Sequence, residues 1–112
     1  MAEYYDSKDL GRFGDMAAGA PELYEKFRAW YDEGVGGGSG ALSAREKALI
    51  ALGVAHALQC PYCIDAFTTR SLESGADLEQ MTEAVHVASA LRAGASLVHG
   101  VQMLGKHDAV SM

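Results

Sequence analysis

Residues 49–66 read Leu49-Ile50-Ala51-Leu52-Gly53-Val54-Ala55-His56-Ala57-Leu58-Gln59-Cys60-Pro61-Tyr62-Cys63-Ile64-Asp65-Ala66. This stretch decides the fold. Its first half, with Ala48 before it, is apolar on nearly every side, and a helix of that kind belongs at the centre of a domain. Ser43-Ala44-Arg45-Glu46 is a capping box, in which hydroxyl and carboxylate satisfy each other's orphan amides at a helix start. The helix is expected to run to about Leu58. Gln59-Cys60-Pro61 then interrupts it, because Pro61 lacks a donor and disfavours helical geometry at Cys60. The same proline suits the first position of a new helix. That helix carries Cys63, Ile64, Phe67 and Leu72, and Gly75 ends it as a left-handed cap.

Downstream, Asp77 caps a last helix with Gln80 three residues on. Its stripe is Leu78, Met81, Val85, Ala88, Ala95 and Val98. Gly94 is a point where it can bend or split. The helix is expected to reach Leu104, with Gly105 ending it and residues 106–112 frayed. Upstream, Pro21 opens a helix that carries Leu23, Phe27, Trp30 and Tyr31 through about Asp32. Residues 34–40 hold five of the thirteen glycines and read as a flexible connector. A phosphate-cradling loop needs Lys-Ser/Thr after its last glycine, and Ala41-Leu42 stand there instead. Residues 1–19 read as a loose arm with at most one short helical turn. Every apolar period is helical and no strand pattern appears. The expected fold is all-α: an arm, helix and connector over 1–41, a core over 42–104 and a tail over 105–112.

A chain of 112 residues makes one domain, and 49% hydrophobic residues suffice for a core. So small a domain leaves apolar surface uncovered, which keeps an oligomer in view. The formal charge of −6, with no basic block, argues against a nucleic-acid partner. No apolar run has the length of a membrane span, and Met1-Ala2-Glu3-Tyr4-Tyr5-Asp6 does not resemble a signal peptide. The cytoplasm is the expected compartment, and no cofactor motif appears.

The two cysteines, Cys60 and Cys63, are too close to staple a fold. Three readings stand side by side. Zinc needs four ligands; His56 is a third, and no fourth is evident. Two inert cysteines can pack as small hydrophobes. A redox dithiol is favoured by the helix start, where the dipole and unpaired amides stabilise a thiolate and the second sulfur can resolve the first. Cys60-Pro61-Tyr62-Cys63 matches the glutaredoxin tetrapeptide, but its context does not. A long Ala-rich helix precedes it where a strand is needed, and no later proline follows Pro61.

The helix–Cys-x-x-Cys–helix run of residues 49–66, with Glu83-Ala84-Val85-His86-Val87-Ala88 and Arg92-Ala93-Gly94-Ala95 after it, resembles the AhpD-like, carboxymuconolactone decarboxylase superfamily over residues 42–104. Pro21-Glu22-Leu23, Trp30-Tyr31 and Asp65-Ala66-Phe67-Thr68-Thr69 resemble a narrower branch, the peroxidase-like proteins associated with arsenosugar biosynthesis. The resemblance implies an all-α fold that assembles as a homotrimer or homohexamer. It also implies a hydroperoxide or disulfide substrate and a thiol electron donor. Cys63 would then attack the peroxide and Cys60 resolve the sulfenate, although Cys60 lies nearer the unpaired amides of the helix start.

Redox members of that superfamily carry a Glu twelve residues before the first Cys and a His four after the second. Here those positions hold Ala48 and Phe67, which cannot move a proton. Glu46 is a possible replacement, but it lies about 200° around the helix from Ala48 and doubles as the capping carboxylate. His56, one turn before Cys60, reads as a base or thiolate partner, or else as a hydrogen-bonded core residue. Asp65 reads as a first-turn dipole partner and Tyr62 as a pocket wall. Arg92 and His99 share a helix face, as an interface ion pair with Glu79 or Glu83 or as an anion contact. An alternative to catalysis is a helical module that binds a small molecule or partner. A vicinal-thiol site for a soft metal or arsenical is another.

Overall fold

The computed structural model describes residues 5–37 and 40–111. Residues 1–4 of the expected arm, Gly38 and Ser39 of the connector, and Met112 lie outside the described residues. The described chain is all-α, with helices α1 (Pro21–Tyr31), α2 (Ala44–Ala57), α3 (Pro61–Glu73), α4 (Leu78–Val98) and α5 (Gly100–Ser111). None of these helices is long and apolar enough to cross a membrane.

Helix α2 lies between α3 and α4 and packs on both. Its start is the capping box: Ser43 N–H donates to Glu46 Oε1 at 2.8 Å, and Glu46 N–H donates to Ser43 Oγ at 3.1 Å. The core is Leu52, Phe67, Ala76 and Met81, with Tyr31, Val35, Leu49, Ala51, Cys63 and Ala66 packed against it. Burying Leu52, which is 2% exposed, is worth about 1.5–3 kcal/mol. Gly53 sets the closeness of α2 to α4, since a β-carbon there would lie 3.2 Å from the Ala84 carbonyl oxygen. Only one side of α2 is covered. Ile50, Val54 and Leu58 are exposed, so the all-round burial expected of this helix is not met within one chain.

Helices α2 and α3 end in the same way. Cys60 N–H donates to Ala55 O and Gln59 N–H to His56 O, while Ala76 N–H donates to Ser71 O and Gly75 N–H to Leu72 O. Both are Schellman motifs, whose first residue past the cap takes a left-handed conformation. In α3 that residue is Gly75, with φ of 88°; in α2 it is Gln59, with φ of 55°.

Three expectations need correction. Residues Ser7–Ala17 form a 3-10 helix of 11 residues, where a loose arm was expected. Runs beyond 3–4 residues are uncommon, so this one is held by its contacts: Phe13 meets Tyr24 and Phe27 edge-on, each at 5.9 Å between ring centroids. The last helix passes Gly94 unbroken and is interrupted at His99, after which α5 continues past Gly105. Its tail is therefore helical to Ser111. An isolated glycine costs a helix only about 1 kcal/mol, too little to end one.

The second half of α4 and all of α5 project from the body. Leu91, Leu97, Val98, Val101, Met103 and Leu104 are exposed along them. The radius of gyration is 18.8 Å, against about 13 Å for a compact domain of this size. An apolar groove of about 580 Å³ runs between α2 and α4, walled by Leu49, Val54, Ala84, Val87 and Leu91, with Arg92 at its edge.

Candidate active site

Cys60 is the N-cap of α3, held in extended geometry by the Schellman turn before it and by Pro61 after it. Its Sγ accepts the Cys63 backbone N–H at 3.2 Å. Both cysteines are free thiols and half-buried. The Cys60 sulfur therefore takes the capping role that a Ser or Asp oxygen plays elsewhere. It satisfies one of the orphan amides where the helix dipole is positive.

Cys63 has a different setting. Its side chain packs against the core beside Tyr31. Burial, then the hydrogen bond and charge of Cys60, push its thiol up to about 11. The neighbouring Tyr31 is also raised, first by burial and then by the charge of Cys63.

Among the described residues, the hydrogen bonds of the other sequence candidates go elsewhere than to the sulfurs. His56 Nδ1 lies 2.8 Å from Leu52 O, one turn back in its own helix. A carbonyl only accepts, so Nδ1 carries the proton and Nε2 of the neutral ring is left as an acceptor. Glu46 is exposed, and its hydrogen bonds with Ser43 hold its carboxyl below the usual carboxylate range. Ala48 and Phe67, at the relay positions of the redox superfamily, are 1% and 6% exposed, and Phe67 belongs to the core cluster on which Cys63 packs.

Asp65 lies beyond the first turn of α3, where sequence reading placed a dipole partner. It accepts the Tyr5 hydroxyl at 2.7 Å. Tyr62 donates its hydroxyl to Asp9 at 3.0 Å, and the Tyr5 and Tyr62 rings lie 4.7 Å apart. Loss of solvent and then the Asp65 hydrogen bond raise the Tyr5 phenol to about 12, so it stays a donor at any ordinary pH. Tyr62 is raised chiefly by its bond to Asp9. Sequence reading missed Tyr5, Asp9 and Tyr31. The first two meet partners 60 and 53 residues away, and no local pattern carries such a pairing. Among the described residues, no group of three or more His, Cys, Asp and Glu is placed to hold a metal.

The arrangement is a dithiol at a helix start, with one sulfur on a helix amide and the other half-buried against the core. The family model of the carboxymuconolactone decarboxylase family matches residues 21–105, which contain α1 to α4 and both cysteines. The chain belongs to this family. It is also similar to the "Uncharacterized protein 4 in cox locus" of Paracoccus denitrificans, being 44% identical over 71 residues. That match covers 63% of this chain and 64% of the relative, so it spans less than two thirds of the relative's length. The family match supports the AhpD-like superfamily reading of the helix–Cys-x-x-Cys–helix run. The 3-10 helix, with Tyr5 and Asp9, precedes the residues that the carboxymuconolactone decarboxylase model covers.

Proposed function

We propose that this protein is a thiol-dependent oxidoreductase, alkyl hydroperoxidase-like in its chemistry, in which Cys60 and Cys63 cycle between dithiol and disulfide. The carrying observation is the 3.2 Å hydrogen bond from Cys63 N–H to Cys60 Sγ at the start of α3. A sulfur bonded to a helix-terminal amide is where negative charge is best held. In this reading Cys60 attacks and Cys63 resolves, the reverse of the order the superfamily resemblance implies. The Cys60 thiolate attacks a hydroperoxide oxygen, the O–O bond breaks, and the alkoxide takes a proton from water. Cys63 then displaces hydroxide from the Cys60 sulfenic acid, its own proton leaving in that water. With a disulfide substrate, Cys60 forms a mixed disulfide and releases a thiolate. Cys63 then closes the intramolecular disulfide and frees the second thiol. An external dithiol restores the pair. Ala48 and Phe67 offer no proton to an alkoxide, whereas a departing thiolate needs none. Disulfide exchange therefore suits this site better than peroxide reduction.

The test is hydroperoxide consumption and disulfide reduction with a dithiol donor, in the wild type and in Cys60→Ser and Cys63→Ser. Cys60→Ser is expected to abolish both activities, and Cys63→Ser to accumulate a mixed disulfide on Cys60. Activity that survives both substitutions would refute the dithiol. The two vicinal free thiols and the likeness to the arsenosugar-associated branch also support binding of a trivalent arsenical. No loss of free thiol at stoichiometric arsenite would exclude it.

We further propose that the protein works as a homo-oligomer in the cytoplasm, a trimer or hexamer. A helix of 12 residues containing Gly100 and Gly105 is marginal in water by itself, and among the described elements α5 packs only on α4, its neighbour in the chain. Sedimentation velocity checks this: Leu97→Asp with Leu104→Asp is expected to release monomers, and a monomeric wild type would overturn it.

A further inference from the structure

The 3-10 helix is fastened at both ends, to the helix that carries the dithiol and to α1. At one end, Tyr5 and Asp9 are bonded to Asp65 and Tyr62 of α3, on either side of Cys63 in sequence. At the other end Phe13 sits on α1 through Phe27, and Phe27 meets Tyr31 at 5.2 Å between ring centroids. Tyr31 packs on the same core cluster as Cys63. The segment thus joins the helix that carries the cysteines to the helix that walls Cys63.

Its two hydrogen bonds are well suited to opening. Each is a single phenol–carboxylate contact, one half-buried and one exposed. No residue of the 3-10 helix is buried in the core. A run of eleven residues in a conformation that seldom exceeds four is weakly held by its own backbone. Segments with few buried contacts open locally at a small fraction of the cost of global unfolding.

We propose that residues 5–17 are a latched strap that filters by size what reaches the Cys60–Cys63 pair, and that Tyr5, Asp9 and Asp65 are its specificity-determining residues. Latched, the strap leaves room for small oxidants and thiols. Bulky reagents and protein-borne disulfides need it displaced. The biological consequence rests on the dithiol reading above. The physical filter does not, because thiol alkylation reports it whether or not the pair turns over.

The test is alkylation of the reduced full chain by iodoacetamide and by a polyethylene-glycol maleimide, followed by mass spectrometry at each cysteine. Tyr5→Phe with Asp9→Ala removes both hydrogen bonds and keeps both aromatic rings. Loss of one such bond shifts a local opening equilibrium by about fivefold. The double variant is therefore expected to react at least fivefold faster with the bulky maleimide and less than twofold faster with iodoacetamide. Arg12→Ala removes an exposed pair with Asp15 within the strap and is expected to change neither rate. Maleimide rates within twofold of wild type in the double variant would overturn the strap. So would equal acceleration of both reagents, which would mean general loosening, read independently from circular dichroism and melting temperature. A filter that behaves as expected in a protein without dithiol turnover would retire the functional reading and leave the strap standing.

Discussion

Replacing Gln59 by glycine should stabilise the protein, and the molecule supplies its own control. Gln59 and Gly75 occupy the same position in two Schellman turns with the same pair of backbone hydrogen bonds, at φ of 55° and 88°. An L-residue in left-handed geometry costs about 1–2 kcal/mol. Glycine removes that cost but loses about 0.5–1 kcal/mol more conformational entropy on folding. The balance for Gln59→Gly is a gain of about 0.5–1 kcal/mol. For a chain of this size that is a melting-temperature rise of about 2–4 °C. Gly75→Ala is the mirror experiment. A β-carbon there meets nothing within 4 Å, so its cost is conformational alone, a loss of about 0.5–1 kcal/mol. Urea unfolding of the reduced protein at one fixed concentration measures both through their midpoints at unchanged slope. If Gly75→Ala destabilises and Gln59→Gly does too, the conformational reasoning fails at Gln59, and its side chain must be making a stabilising contact.

Gly53→Ala should destabilise by about 1 kcal/mol, because the added methyl meets the rigid Ala84 carbonyl at 3.2 Å; overpacking of about 1–3 kcal/mol outweighs a helix-propensity gain of about 1. Chemical denaturation checks it, and a stabilised variant would show that α2 and α4 can separate freely. Ser71 is fully buried and its Oγ has no hydrogen-bond partner among the described residues, so Ser71→Ala should raise stability by about 1 kcal/mol, read as a later urea midpoint. The Cys63 thiol sits at about 11 when folded against a reference of 9.0. The unfolded chain thus loses this proton first as pH rises. Its contribution to stability is complete below pH 9 and fades between 9 and 11. Unfolding of the reduced protein across that window should show a downward slope that Cys63→Ser makes shallower, most clearly near pH 9, below the range of the raised tyrosines.

What was legible in the sequence is what is encoded locally. The two capping boxes, Ser43 with Glu46 and Asp77 with Gln80, fix helix starts within four residues, and both form with reciprocal bonds. Pro61 at the start of α3 and Gly75 past its end act the same way. The Cys pair was visible because its spacing is itself the motif. Helix interruptions were less legible, since Gly94 and Gly105 carry no more than a propensity cost while His99, where the chain does break, has no breaker chemistry. The strap was hidden for another reason. Its hydrogen bonds join Tyr5 and Asp9 to residues on a helix more than 50 positions away, and nothing in residues 1–19 announces a partner at that distance. The burial of α2 was misjudged because an all-round apolar helix shows only that its faces seek cover, not that the same chain supplies it.

The two departures from the redox superfamily's pattern have one physical cause. A Glu at position 48 and a His at position 67 would bring polar, proton-bearing groups into the layer between α2 and α3. Ala48 and Phe67 are buried apolar residues instead, and Phe67 forms one apolar surface with Leu52 and Met81. Cys63 lies against this surface, and burial is the largest influence holding its thiol up to about 11. A sulfur so placed keeps its proton at neutral pH, which suits a resolving thiol and not an attacking one. Cys60, one turn earlier and on the amide of Cys63, depends on the helix terminus and not on a side-chain base. In the proposed mechanism, loss of the relay and reversal of the cysteine order are thus a single change. Restoring the relay with Ala48→Glu and Phe67→His should therefore do more than raise peroxide turnover. It should move the first-formed sulfenic acid from Cys60 to Cys63, which dimedone labelling and peptide mass spectrometry can read. Labelling that stays on Cys60 in the double variant would separate the two effects and refute the common cause.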